Sequence, residues 1–331
     1  MIDTAAHSSR LKLAVVPAVI YALIWLADQR GFLRDEGLTV RLRSFGSTDA
    51  TTAALRDGVV PVTIGSPEGS IANALNGGDL RLVSGFVNRP PLSMIAQPRY
   101  HSMAELRGAK LGTTSLKEGT CHLMEKMMAA HGMHQPADFQ FVMAGAHPQR
   151  WEALKAGTLD AAIQLVPFNY IAEEAGYPNL GDVDEYVPDF LFCAVCTRAN
   201  WANENRDRLI GLLRALRRGV EALYGDPSGA AAVVLDKMSI DPDHALRACR
   251  EFVSKKVIPR DLSINPHALT ATLEAMRCAD LVKDHPQRCV DLQFLSATEP
   301  ITLISSLRSR PSQQGRQGAS ATFVPMCYEV G

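Results

Sequence analysis

The chain has 331 residues, enough to bury a large core and, on size alone, to form two domains. It is 47% hydrophobic and 21% charged, with a net charge of −1, which gives no electrostatic reason to expect nucleic acid or an acidic membrane as partner. Arg206, Arg214, Arg217 and Arg218 do not alter this. They share a helical segment with the apolar stripe Leu209, Leu213, Leu216, Val220 and Leu223, and read as its solvated face.

The apolar run Leu13–Ala27 is shorter than the ~20 residues a spanning helix needs, and Pro17 interrupts it. It lacks the small-residue cleavage site of a secretory signal, since Asp28-Gln29-Arg30-Gly31 follows. A short buried strand over Leu11–Val16 and a helix over Ala18–Gln29, stopped by Gly31, fit better. Strand and helix then alternate: "LTVRLRSFG", a helix capped by Ser47 or Thr48, "VPVTIGSP", the helix "EGSIANALNGG" and the strand "LRLVSGFV". A second series follows. The strand "LSMIAQP" leads to the short helix "SMAELRG", the strand "AKLGTTS" and the helix "EGTCHLMEKMMAAHG". The strand "FQFVMAG", the helix "HPQRWEALKAG", the strand "LDAAIQLVP" and the helix "FNYIAEEAG" complete it. Alternation of this kind predicts parallel sheets covered by helices.

The two series echo one another. "ALRDGVVPVTIGSP" (Ala54–Pro67) aligns with "ALKAGTLDAAIQLVP" (Ala153–Pro167), and "LKL" with "AKL", which favours paired α/β domains over one long sheet. After the strand "FLFCAVCTR", a long helix is expected over Trp201–Tyr224, with further helices near Ser228–Lys237, Asp243–Ser254 and His267–Leu281. The division expected is 11–90 plus 190–296 for one lobe and 91–189 for the other, with a disordered tail over 308–331.

Seven cysteines at irregular spacings favour a reducing compartment. Cys193 and Cys196 lie three apart on a strand, where side chains point to opposite faces, so neither a shared metal nor a disulfide is expected. No metal site and no cofactor are expected elsewhere, because no zinc spacing, P-loop, G-x-G-x-x-G, G-x-S-x-G or H-E-x-x-H occurs.

In open α/β sheets ligands sit beyond the carboxyl ends of the strands, where helix N-termini converge. With two such domains facing each other, the candidate ligand-binding residues are Tyr21, Ser44, Ser47, Ser66, Glu68, Thr114, Ser115, Thr120 and Gln164, with Phe45 and Phe168 as apolar walls. Ser115 and Glu118 also fit a capping box, and Glu68 also fits a solvated first-turn residue. For catalysis the candidates are Glu68 and the pair Cys121 and His122, the cysteine lying in a helix first turn where a thiolate is stabilised.

Several motifs occur in a familiar order. "LADQRGFLRDEGLTV" (Leu26–Val40) is followed by a Gly-Ser turn, "ALRDGVVPVTIG", "MAELRGAKLGTTS" and "LKAGTLDAAI". Over roughly Leu11–Leu223 the chain resembles solute-binding proteins of the nitrate/sulfonate/taurine type, the broader group that includes thiamine-pyrimidine synthase-like proteins. The resemblance implies a two-lobed type II periplasmic-binding-protein fold, with crossovers near Pro90–Ser93 and Pro188–Leu191 and a cleft closed by hinge bending. It implies a small organic ligand and an ABC permease as partner. The alternative on this fold is a cytosolic decarboxylase, desulfinase or hydrolase acting on a small organic acid. The synthase's cysteine-rich motif is missing, and Val15-Val16-Pro17-Ala18 lacks the cysteine of the desulfinase type. As written, with no export signal and seven cysteines, the chain is expected in the cytoplasm; a preceding export signal would place it in the periplasm.

Overall fold

The computed structural model describes residues 9–14, 19–45, 47–114, 116, 119–278 and 286–298. In chain order, β1 (Ser9–Ala14), α1 (Ala22–Gln29), α2 (Phe32–Asp35), β2 (Leu38–Arg43), α3 (Thr48–Arg56), β3 (Val62–Gly65), α4 (Glu68–Leu75) and β4 (Leu80–Val87) form the first series. The second is β5 (Leu92–Ala96), β6 (Ala109–Thr113), α5 (Gly119–Ala129), β7 (Phe139–Met143), α6 (His147–Lys155), β8 (Ala161–Leu165), α7 (Phe168–Glu174) and β9 (Asn179–Asp182). Next come β10 (Cys193–Arg198), α8 (Ala199–Glu204), α9 (Arg206–Gly225), α10 (Pro227–Lys237), α11 (Pro242–Ser254) and α12 (Pro266–Ala275).

Two five-stranded sheets result, ordered β2-β1-β3-β10-β4 and β7-β6-β8-β5-β9. Each is the core of one lobe, and the chain passes between them at 88–91 and 183–192. The orders correspond strand for strand. The repeated segments fall on equivalent elements, α3–β3 in one lobe and α6–β8 in the other, and "LKL" and "AKL" fall on β1 and β6.

The expectation of purely parallel sheets needs correction. β10 runs antiparallel to β3 and β4, and β5 antiparallel to β8 and β9. In both lobes the antiparallel strand is the one entered from a crossover. The remaining pairs β1–β2, β1–β3, β6–β7 and β6–β8 are parallel. β9 was not foreseen: "NLGD" has a glycine and two polar residues, and it is held only as an edge strand on β5.

Local signals explain the elements. The central strands β5 and β8 are buried at every residue and are apolar but for Ser93 and Gln164, whereas the edge strand β2 alternates. Gly31 takes the left-handed conformation, φ 77°, just beyond α1. The helix expected over Trp201–Tyr224 is interrupted at Asn205, which separates α8 from α9. On α9 the stripe Leu209, Leu213, Leu216, Val220 and Leu223 is fully buried. Arg214 and Arg218 on its outer face pair with Glu36 (2.6 Å) and Asp35 (2.8 Å).

Cys193 joins the main core and Cys196 a second cluster on the other side of the sheet. Both are free thiols. Burial pushes Cys193 well above the ordinary thiol range and Cys196 up to about 12. Among the described residues no helix is long and apolar enough to cross a membrane. The expected Pro17 strand end, the Ser115–Glu118 capping box and the tail over 308–331 lie outside the described residues.

Candidate functional site: a cavity between the lobes

Parallel strands deliver their carboxyl ends, and the N-termini of the helices that follow, to the same edge of each lobe. Residues at the first turns of five helices line one cavity of ≈ 150 Å³: Thr48 of α3, Glu68 of α4, Gly119 and Thr120 of α5, His147 and Pro148 of α6, and Phe168 of α7. These termini bias the space toward negative charge. Tyr21, Phe45, Phe192, Leu165 and Met238 supply apolar wall.

Of the residues singled out in the sequence, Tyr21, Ser47, Ser66, Glu68, Thr114 and Thr120 border this one cavity. Ser47 caps α3 by accepting from Ala50 N at 3.1 Å. The Tyr21 hydroxyl donates to Ile64 O at 3.0 Å, which fixes its ring against the cavity. Thr120 Oγ1 lies 3.2 Å from Thr113 Oγ1.

Ser44 is placed elsewhere. It borders a separate surface groove with Lys12, Arg41 and Arg43, because successive residues of an extended segment point to opposite sides and Phe45 takes the inward direction. Gln164 is fully buried one layer behind the wall. With its amide oriented to suit its neighbours, it donates to His147 O (3.3 Å) and accepts from Trp151 N (3.1 Å). Ser115 lies outside the described residues.

Glu68 is not a solvated first-turn residue. It is 8% exposed. Oε1 accepts from Gly119 N at 2.9 Å, across the cleft on α5, and the other oxygen accepts from the Ser66 hydroxyl. A first-turn carboxylate of α4 therefore also caps the first turn of a helix in the opposite lobe. A side chain at Gly119 is excluded, since its Cβ would lie 2.7 Å from Glu68 Oε1 and closer still to Phe190 Cζ.

The opposite wall carries two residues that were not among the candidates, His147 and Arg150. Arg150 is 1% exposed and donates through Nη1 to Ile163 O at 2.9 Å, while Nη2 lies 3.1 Å from His147 Nδ1. Leu165 N donates to the same Nδ1 at 3.0 Å, which requires that nitrogen to be an acceptor and the ring to be neutral. Burial, and then the Arg150 charge, hold His147 well below its usual range, against an opposing bond from Gln164. The sequence carried a signal for both. His147 precedes Trp151 by four residues and Arg150 precedes Leu154 by four, which sets them on the buried face of α6.

A larger open groove of ≈ 800 Å³ adjoins the cavity, sharing Thr48, Ser66 and Glu68. Cys121 and His122 line the groove rather than the cavity. Cys121 Sγ donates to Thr113 Oγ1 at 3.4 Å, and His122 Nδ1 lies 3.9 Å from Glu125. No cluster of three or more His, Cys, Asp or Glu that would hold a metal occurs among the described residues.

A family model described as NMT1/THI5 like matches residues 20–230, most of both lobes. The chain belongs to the NMT1/THI5-like family. No curated protein sequence matches this NMT1/THI5-like chain. Its architecture is similar to the periplasmic nitrate-binding protein NrtA of Synechocystis PCC 6803, at TM-score 0.76 and 13% identity, covering 87% of this chain and 88% of that one. It is also similar to the alkanesulfonate-binding protein SsuA of Xanthomonas axonopodis pv. citri bound to MOPS, at TM-score 0.66 and 15% identity over 89% and 99% of the two chains. A third relative in shape is the Candida albicans CA3427 product, described as having the generic periplasmic binding protein fold, at TM-score 0.68 and 14% identity over 86% and 96%. At these identities the likeness establishes the fold: a two-lobed α/β periplasmic-binding-protein architecture.

Proposed function

We propose that this NMT1/THI5-like protein binds a small organic solute between its lobes by hinge closure, and serves as the substrate-binding component of an ABC-type importer. The observation that carries this reading is the cavity where helix first turns of both lobes meet. Its volume suits a ligand on the order of a single aromatic ring. The fold neighbours that bind nitrate and alkanesulfonate support it. The proposed contacts are Tyr21, Ser47, Ser66, Thr114 and Thr120 as polar and apolar wall, with Glu68 and Arg150 setting opposite charges on the two sides. Gln164 supports His147 from behind. Ser44 has no part in the reading.

A thermal-shift screen of small carboxylates, sulfonates, amines and neutral amides tests it. One class is expected to raise the melting temperature in a concentration-dependent way, equivalent to about 2.7 kcal/mol at a hundredfold excess over Kd. Turnover of a small acid by the purified protein, lost on Glu68→Ala, would overturn the reading in favour of an enzyme.

A further inference from the structure

The lobes also meet outside the cavity, along one face of α11. His244, Arg247 and Glu251 on α11, with Lys255 just beyond its end, stand at i, i+3, i+7 and i+11, one stripe of a helix. α11 packs on α10, which packs on α1 of the first lobe. The stripe faces the second lobe. His244 Nε2 lies 2.8 Å from Glu174 Oε1 of α7. Arg247 donates to Glu173 Oε2 at 3.2 Å, and its guanidinium carbon sits 3.8 Å from the Tyr170 ring centroid. The Tyr170 hydroxyl donates to Glu251. Lys255 Nζ lies 2.9 Å from Asp182, 3.4 Å from Asp184 and 3.2 Å from Glu251. Ser93 and Asn179 hold Asp182, and Asn179 also donates to Glu173, so the second-lobe partners form a connected group.

Both ends of this contact are tied to other parts of the mechanism. Arg89, in one passage between the lobes, donates to Pro188 O in the other at 3.0 Å and to Lys255 O at 3.4 Å, which sets Lys255 beside the hinge. His244 stands eleven residues away, ~16 Å along the helix, on the side that travels furthest when the lobes part. α7 begins with Phe168 in the cavity wall, and Met238, just ahead of α11, lines the same cavity from the first lobe. A ligand touching Phe168 and Met238 bridges the two structures that the polar stripe bridges outside.

We propose that α11 is a clasp: its polar face holds the cleft closed, and its strength adds to solute affinity. The clasp stands on its own geometry; only its link to affinity rests on the solute-binding reading. Arg247 and Lys255 make their contacts from partly exposed side chains, whereas Tyr170 and His244 are buried, and opening the clasp uncovers them. The distal contacts of His244 and Arg247 open first, and those of Lys255 last.

Charge exchange tests the clasp. Small-angle X-ray scattering on extensively dialysed, solute-free protein reads lobe separation for wild type, Arg247→Glu, Glu173→Arg and the double exchange. Each single variant is expected to raise the open population about fivefold at low salt, and the double exchange to restore most of the wild-type curve. High salt is expected to move wild type toward the single variants. Arg247 and Glu173 side chains are 53% and 26% exposed, so the substitutions leave the cores intact; circular dichroism checks this, and Tyr170→Phe, which removes only the bond to Glu251, is the milder second probe. Single variants that scatter like wild type, or a double exchange no closer to wild type than its parents, would overturn the clasp. Scattering is read without solute, so failure to find a ligand leaves this test intact, and a wild-type result leaves the solute-binding reading intact.

Discussion

On the first lobe the cavity wall includes Tyr21, Phe45, Ser47, Ser66 and Glu68; on the second it includes Thr114, Thr120, His147, Arg150 and Phe168. The two sets come from equivalent positions. Ser66-Pro67-Glu68 follows β3, and Val166-Pro167-Phe168 follows β8; Ser47-Thr48 opens α3, and Ala146-His147 opens α6. The repeated architecture preserves where the chain turns, while the side chains diverge. One wall carries the carboxylate Glu68 and the other the guanidinium Arg150, while hydroxyl and aromatic side chains stand on both. In the proposed reading a solute held between them meets opposite charges; the direct bond from Gly119 N to Glu68 joins the two walls.

The contrast is broken most severely at its cation. Arg150→Met removes a buried charge bonded to Ile163 O and is expected to cost about 2–4 kcal/mol in urea denaturation, with solute binding lost. The acidic wall ranks next. Glu68→Ala leaves the buried Gly119 N–H without its carboxylate and is expected to cost about 1–3 kcal/mol; Glu68→Gln, which keeps an acceptor, is expected to cost less.

The third test is pH. His147 and His122 are both held below their usual range, each chiefly by burial. Unfolded, each takes up a proton as pH falls through about 6.5; folded, it resists. Their contribution to stability is therefore flat above that range and falls below it, by up to ~1.4 kcal/mol per pH unit for His147 and by less for the half-buried His122. Urea midpoints between pH 8 and pH 5.5 are expected to show the decline, and His147→Gln to remove its share. The smallest effects separate neighbours on one loop. Ser47→Ala, which removes a helix cap, is expected to cost about 1 kcal/mol, whereas Ser44→Ala changes stability by less than about 0.5 kcal/mol and leaves solute binding unaltered.

Much of this organisation was legible in the sequence, and the gaps have physical causes. The echo of "ALRDG" in "ALKAG" located equivalent helix–strand units because a helix stop and a buried strand impose the same pattern in either lobe. Strand direction was not legible, since an apolar run such as "LSMIA" is buried equally well in a parallel or antiparallel sheet, and only the crossover decides. Ser47, Ser66, Thr114 and Thr120, expected at strand ends, line the cavity between the lobes. Ser44 borders a separate groove, because the alternation of the extended segment assigns its neighbour Phe45 to the cavity. Arg150 was missed because an arginine in "HPQRWEALK" reads first as a solvated charge; its buried setting follows from the i, i+4 relation to Leu154, a weaker signal than polarity. The α11 contacts involve charges that look solvated in the sequence, and their second-lobe partners lie 70 to 81 residues away, as with Asp182 and Lys255 at 73.

Native mass spectrometry of the freshly purified protein beside Thr114→Trp, whose added ring fills the space between the walls, tests the inter-lobe site most directly. The wild-type protein is expected to carry, or to take up from the thermal-shift panel, one small molecule per chain, and the folded Thr114→Trp protein to carry none. Equal occupancy in both proteins, or no occupancy in either across the panel, would contradict a solute site between the lobes.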